Sequence, residues 1–220
     1  MTTAERERTA SGRGLAAAGL WLLPLYALLL ALSTLTHEPD HAGDFEAWSR
    51  YVTTDRFVVS HVVGSILGAG LGLVGIVAAL LFLVRGPNAG RAMVATALTI
   101  VANVLFTGLF AAAAFAQPAI GRAFLAGRAG AEGLYDDVYG TPLLVTFGVG
   151  ALMFVTGAVL FGLAVARTSP GLRWAGWGYA AALVLFLVSG FTVSVLQPVA
   201  GVLACAAAVV IALRLPSAVA

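Results

Sequence analysis

The sequence predicts an all-α integral membrane protein with six transmembrane helices and both termini in the cytoplasm. Hydrophobic residues make up 60% of the 220 residues and charged residues only 10%, whereas a soluble domain has about 25% charged residues. So few charges cannot cover a water-facing surface. Apolar stretches of about 20 residues also recur, and that is the length a helix needs to cross about 30 Å of hydrocarbon.

Six apolar segments meet or approach this length. In chain order the predicted spans 1 to 6 are Leu15–Leu35, Phe57–Val84, Ala92–Ala116, Pro142–Ala166, Trp174–Val195 and Val199–Leu213. The sixth is short and follows the fifth after a Gln-Pro break, so a protein of five spans is the alternative. The spans form one bundle over residues 15–214. Outer loops cover 36–56 and 117–141, and short tails cover 1–14 and 215–220.

The basic residues predict the orientation of the bundle. All 12 are arginine, and eight lie in segments on one side of the six-span arrangement: Arg6, Arg8, Arg13, Arg85, Arg91, Arg167, Arg173 and Arg214. Arginine is enriched in cytoplasmic segments, so both termini are expected there. The arginine-rich, lysine-free composition is typical of GC-rich bacterial genomes, which indicates a multi-pass protein of a bacterial inner membrane.

The composition excludes several kinds of chemistry. Without lysine, the chain forms neither a retinal or pyridoxal Schiff base nor a Walker A phosphate site. A single cysteine, Cys205, excludes an intramolecular disulfide and a cysteine metal cluster. The net charge of +2 is too small to indicate a nucleic-acid surface.

The first outer loop carries a short amphipathic pattern. Phe45, Trp48 and Val52 follow one another at spacings of three and four, with charged residues between them. This spacing predicts a short helix that lies in the membrane interface with its aromatic side chains at headgroup depth.

Spans 2–3 and spans 4–5 share features that indicate a parallel repeat of helical hairpins. The arginine pair after span 2 has the same spacing as the pair after span 4, and each hairpin ends near a Gln-Pro dipeptide. The matching positions are Arg85 and Arg91 with Arg167 and Arg173, and Gln117-Pro118 with Gln197-Pro198. Chance similarity between apolar segments is the alternative.

One face of span 2 combines small and polar residues. It carries His61, Gly64, Ser65, Gly68, Gly72 and Gly75. Repeated small-xxx-small spacing lets two backbones approach closely in lipid, so we interpret the glycines as a helix-packing face in preference to a ligand groove. His61 and Ser65 are candidate ligand-binding residues, although His61 lies near enough to the outer end to bond a loop group instead.

Span 3 carries a polar face. Thr96, Thr99, Asn103 and Thr107 are spaced three or four residues apart and share one side of the helix. They either bond neighbouring helices, which we favour, or line a path for a small solute. No Asp, Glu or Arg lies inside a predicted span, which disfavours proton-coupled transport.

The residues after span 1 spell H-E-x-x-H, from His37 to His41, the pattern of zinc proteases. That chemistry needs an uninterrupted helix, and Pro39 inside the motif prevents one. We therefore expect no protease. A looser divalent-metal site on His37, Asp40 and His41, with His61 as a further candidate ligand, is the alternative to a solvated acidic loop.

Three functions fit these patterns. We favour a non-enzymatic bundle that binds a lipid-like or small neutral ligand, or packs with a membrane partner subunit or a second copy of itself. The alternatives are a small-solute transporter or channel lined by span 3, and a metal- or redox-linked membrane enzyme that uses the outer histidines. We expect the lipid bilayer as its environment, no nucleic-acid partner and no cofactor other than that divalent metal.

Overall fold

The computed structural model describes residues 3–35 and 38–219, with side chains from residue 11 onward. Over these residues the chain is all-helical, with 83% helix and no strand. Six of the described helices are long and apolar enough to cross a membrane. The predicted all-α membrane fold with six spans is confirmed, and the five-span alternative is wrong. The orientation of the termini and the internal repeat stay predictions.

The observed spans keep the predicted numbering. They are Ser11–Ser33, Asp55–Leu83, Ala89–Leu125, Thr141–Ala166, Pro170–Ser189 and Leu196–Ala218. Span 1 consists of two helices, Thr3–Leu20 and Leu22–Ser33, that meet at Trp21. Span 2 contains the π-helical segment Ser60–Leu67 and span 3 the π-helical segment Ala112–Ala116; span 5 begins with the 3₁₀ turn Pro170–Leu172. Two further helices, Phe45–Val52 and Gly133–Val138, lie between spans.

Span 3 is longer than its predicted range, Ala92–Ala116, because the helix continues through Pro118 to Leu125. Pro118 stands in the first turn after the π-helical segment. A proline lacks the N–H that an α-helix would use, and a local π adjustment accommodates the missing bond. The first part of the predicted loop 117–141 is therefore helical.

The six spans form a closed ring in chain order, in which each span packs on the next and span 6 packs on span 1. We call the end that carries helix Phe45–Val52 the loop end, and the end that carries the termini the terminal end. At the terminal end Arg13 Nη2 donates a hydrogen bond to Pro216 O at 2.9 Å, which joins the first span to the last.

Glycine allows close approach of neighbouring spans in the ring. The span 2 glycines face span 1. A Cβ at Gly64 would lie 2.5 Å from Ser33, one at Gly72 would lie 2.8 Å from Tyr26, and one at Gly75 would lie 2.9 Å from Leu23. A Cβ at Gly68 would lie 3.4 Å from Leu29. A Cβ at Gly162 in span 4 would lie 2.5 Å from the carbonyl oxygen of Gly176 in span 5. Close backbone approach of this kind increases packing between helices in lipid.

Helix Phe45–Val52 forms as predicted, with Asp44 as its N-cap accepting a hydrogen bond from Ala47 N at 2.8 Å. Its apolar face, however, does not meet lipid. Trp48 and Val52 are fully buried against the end of span 3, in a cluster with Phe57 and Ile120. The loop-end extension of span 3 covers these side chains, so they contact protein, and the position of the helix at headgroup depth stays a prediction.

Candidate ligand-binding chamber

A cavity of about 210 Å³ lies inside the ring, and all six spans contribute to its wall or to its edge. We call this cavity the chamber. Its lining residues are Tyr26, Leu30, Ser65, Ala69, Asn103, Phe106, Phe110, Phe147, Phe154, Phe186, Leu187, Gly190, Phe191 and Gln197. The chamber is thus a product of the whole ring, and no single span encloses it.

The wall of the chamber is mainly aromatic. Six phenylalanines from spans 3 to 5 and the residues just after span 5 contribute to it. The ring centroid of Phe106 lies 5.5 Å from that of Phe147 and 5.6 Å from that of Phe154, and Phe147 lies 5.3 Å from Phe191. Such a wall favours an apolar or aromatic occupant over a hydrated ion.

Two polar side chains face this apolar space without a complete set of partners. Asn103 is 4% exposed; its Nδ2 donates to Thr99 O at 2.8 Å, and its Oδ1 accepts no hydrogen bond from the described residues. Ser65 is 7% exposed, and its hydroxyl has no hydrogen-bond partner in the described part of the chain. An unpaired polar group in an apolar site is costly, so both groups are suited to bind an occupant.

The π-helical segment of span 2 sets the position of Ser65. In span 3, the hydroxyls of Thr99 and Thr107 each donate to the carbonyl four residues before, at 2.8 Å. Ser65 makes no such bond. Single π-helical turns are frequent at functional sites, since they shift the register of the side chains that follow.

A second cavity, of about 640 Å³, lies at the loop end next to the chamber. We call it the vestibule. It is lined by Ser33, Thr34, Leu35, Glu38, Tyr51, His61, Gly190, Ser194, Val195, Gln197 and Pro198.

Gly190 and Gln197 line both cavities and form the neck between them. Gln197 Nε2 donates to Phe186 O at 3.3 Å, and a Cβ at Gly190 would lie 2.6 Å from that nitrogen. Glycine at this position therefore leaves room for the glutamine in the neck.

Toward the terminal end the chamber narrows to a cleft of about 10 Å³. Tyr26, Asn103 and Phe154 belong to both spaces, and Phe161 and Tyr179 lie on the far side of the cleft. The rings of Phe161 and Tyr179 are 5.6 Å apart, and both side chains are almost fully buried. The vestibule, the chamber and the cleft thus lead inward from the loop end and stop at this aromatic layer.

The predicted ligand residues separate into two groups. Ser65 and Asn103 line the chamber, Thr99 lines the cleft and His61 lines the vestibule. Thr96 is buried and Thr107 partly buried, and neither lines any of these three spaces. Thr99 also faces span 4, since a Cβ at Gly157 would lie 2.8 Å from its hydroxyl oxygen.

Sequence reasoning missed the phenylalanine wall and the glutamine in the neck. The phenylalanines are one helical turn apart in span 3 and two turns apart in span 4, at Phe106, Phe110, Phe147 and Phe154. That spacing places them on one face, but many lipid-facing residues show the same pattern. Only the ring closure reveals that this face turns inward.

The residues of the predicted metal site are divided in the structure. Thr36 and His37 lie outside the described residues. His41 Nδ1 lies 3.9 Å from Asp40 Oδ1, and the His41 ring stacks on Tyr135 with centroids 4.1 Å apart. Among the described residues, no group of three His, Cys, Asp or Glu side chains could hold a metal ion. A site that includes His37 stays a prediction.

Hydrogen bonds and negative charge organise the loop end around Trp48. Trp48 Nε1 donates to Glu38 Oε1 at 2.8 Å, and Gln117 Nε2 donates to the Tyr139 hydroxyl at 2.7 Å. Burial raises the pKa of Tyr139. Burial also raises the pKa of Tyr135, and the nearby Glu38 carboxylate adds to that increase. The Glu38 carboxylate is thus held beside the vestibule by a buried aromatic side chain.

Comparison of the chain with models of protein families, with curated proteins and with solved structures finds no match.

Proposed function

We propose that this polytopic membrane protein binds a small ligand whose neutral, mainly apolar part lies in the chamber between its six spans. The observation that carries the proposal is the combination of a phenylalanine wall with two polar groups that have no partner among the described residues, the Ser65 hydroxyl and the Asn103 Oδ1. An apolar cavity of about 150 Å³ is large enough to bind benzene. The chamber, at about 210 Å³, has room for a larger aromatic or branched aliphatic group.

The charge of the site supports a neutral ligand for this chamber. No charged side chain is among its described lining residues, and an unpaired ion in such a space is strongly disfavoured. A ligand with one hydroxyl, carbonyl or amide group would satisfy Asn103 or Ser65 while its apolar part contacts the phenylalanines. This polarity pattern is typical of small-molecule sites.

The distribution of arginine supports a location in a bacterial inner membrane with cytoplasmic termini. In that orientation the vestibule would open on the non-cytoplasmic side. Transport along span 3 is the alternative, and it needs an opening at the terminal end that the cleft of about 10 Å³ does not offer in this conformation. Binding is therefore the function that the geometry supports best.

Photolabelling tests the proposal. The protein is placed in nanodiscs with trifluoromethyl-phenyl-diazirine, a small neutral aromatic probe, and labelled residues are identified by mass spectrometry. We expect labels on Phe106, Phe154 or Phe186 as well as on lipid-facing residues. Ala69→Phe fills the chamber and should remove the chamber labels, since Ala69 is buried in its wall.

Ala97→Phe is the matched control, because Ala97 lies exposed on the surface of span 3. It should leave the chamber labels unchanged. Labels confined to lipid-facing residues in the unmodified protein, or chamber labels that persist in Ala69→Phe, contradict the proposal.

A further inference from the structure

We infer that the ligand is an amphiphile whose apolar part occupies the chamber and whose hydrogen-bond-donating head lies in the vestibule. This inference rests on the proposed function and adds the chemistry of the head. It follows from three features: the shared neck, the tautomer that the His61 contacts require and the Glu38 carboxylate.

The two cavities share part of their lining at the neck. Gly190 and Gln197 line both, so a bound molecule longer than the chamber extends past them toward the loop end. The lining also changes along this axis. Phenylalanines dominate the chamber, whereas the vestibule carries hydroxyl groups, a histidine and a carboxylate. An apolar molecule with a polar head matches that order.

His61 offers a hydrogen-bond acceptor to the vestibule. Its Nδ1 lies 3.0 Å from Phe57 O and 3.3 Å from Ser60 Oγ. A carbonyl oxygen only accepts, so Nδ1 carries the proton in this bond, and in the neutral ring Nε2 is then an acceptor. The Ser60 hydroxyl itself donates to Phe57 O at 2.8 Å. A ligand group that bonds Nε2 must donate.

Glu38 is the charged residue among the described lining of the vestibule. One carboxylate oxygen accepts from Trp48 Nε1 at 2.8 Å, which fixes the group while its other oxygen has acceptor capacity left. Within the described residues Glu38 forms no ion pair. Together, Glu38 and His61 therefore favour a hydroxyl or an ammonium head and disfavour a carboxylate head.

Competition with three phenylalkyl compounds tests the inference. Phenylbutylamine, phenylbutanol and phenylbutyrate share one apolar part and differ in the head. Each is added to the photolabelling assay. The loss of chamber labels is compared at equal measured concentrations of the compounds in the membrane. We expect the amine to displace the probe at a lower concentration than the alcohol, because Glu38 is negatively charged, and both to do so at several-fold lower concentration than the carboxylate.

Glu38→Gln supplies the decisive comparison. Glutamine keeps an oxygen that accepts from Trp48 Nε1 but removes the charge, so the advantage of the amine over the alcohol should fall about three- to fivefold, as for a partly exposed ion pair. Glu46→Gln is the matched control. Glu46 pairs with Arg50 at 2.6 Å on helix Phe45–Val52 and does not line the vestibule. The amine preference of the Glu46→Gln variant should therefore equal that of the unmodified protein.

The outcomes separate the two proposals. Equal displacement by all three heads, or an amine preference that is the same in Glu38→Gln and Glu46→Gln, overturns the assignment of the head and leaves the chamber as a ligand site. The same holds if the probe labels the chamber and none of the three compounds displaces it. Absence of chamber labels in the unmodified protein overturns the proposed function and this inference together.

Discussion

At the scale of single residues, the structure distinguishes glycines that the sequence treats alike. Gly68 and Gly75 belong to the same small-residue face of span 2, yet only Gly75 is in tight contact with the backbone of span 1. A Cβ at Gly75 would lie 2.9 Å from Leu23 N, and one at Gly68 would lie 3.4 Å from the Leu29 side chain. Spacing predicts the face, but the distance to the neighbouring helix depends on the packing of the whole ring.

We expect Gly75→Ala to lower the melting temperature in detergent, because overpacking a tight contact costs about 1–3 kcal/mol. Gly68→Ala should have a smaller effect, since its methyl group makes an ordinary contact. Gly70→Ala is the control: nothing lies within 4 Å of a Cβ there, and alanine favours the helix. If Gly75→Ala and Gly70→Ala melt at the same temperature, the packing of span 2 on span 1 is not as described.

The polar residues of span 3 likewise share a face that the sequence predicts, but they differ in what they contact in the structure. Four residues share the polar face of span 3, and helical spacing identified that face correctly. Asn103 reaches the chamber, whereas Thr107 satisfies its hydroxyl on its own helix at Asn103 O. Which of them meets a cavity depends on how the whole ring packs, and no local sequence feature encodes that packing.

At the scale of helices, the loop helix Phe45–Val52 acts as a cover on the end of span 3. Its amphipathic spacing was readable from the sequence. Its docking site was not, because the predicted span 3 ends at Ala116, whereas the helix continues past the π-helical segment to Leu125. A Cβ at Gly121, beyond that proline, would lie 2.9 Å from Ser49 O in the loop helix.

Gly121→Ala should therefore loosen the loop helix without unfolding the spans. We expect trypsin to cut after Arg50 or Arg56 at least about fivefold faster, which corresponds to the lower end of the overpacking cost. Gly133→Ala serves as the comparison, since nothing lies within 4 Å of a Cβ at Gly133. Unchanged cleavage in Gly121→Ala would mean that the loop helix is not held by this contact.

At the scale of the whole molecule, six spans in chain order enclose one chamber. Composition and apolar length were sufficient to predict the number of spans, because lipid permits few alternatives to a bundle of helices. They could not predict the chamber, since a ring and a solid bundle have the same hydropathy. The chamber, neck and vestibule form a site that extends inward from the loop end. Tyr179 and Phe161 close it toward the terminal end.

The central claim is that the chamber can be reached from the loop end alone, and thiol labelling of Ser65→Cys in a Cys205→Ala background tests it most directly. Methyl methanethiosulfonate, a small neutral reagent that suits the apolar chamber, is added to vesicles of either orientation that carry an impermeant thiol as scavenger on the opposite side. We predict reaction from the loop side that phenylbutanol slows, and no reaction at Val104→Cys, which is 61% exposed on the lipid-facing surface. A Ser65→Cys that does not react from the loop side, or that reacts equally fast from the terminal side, would contradict the account.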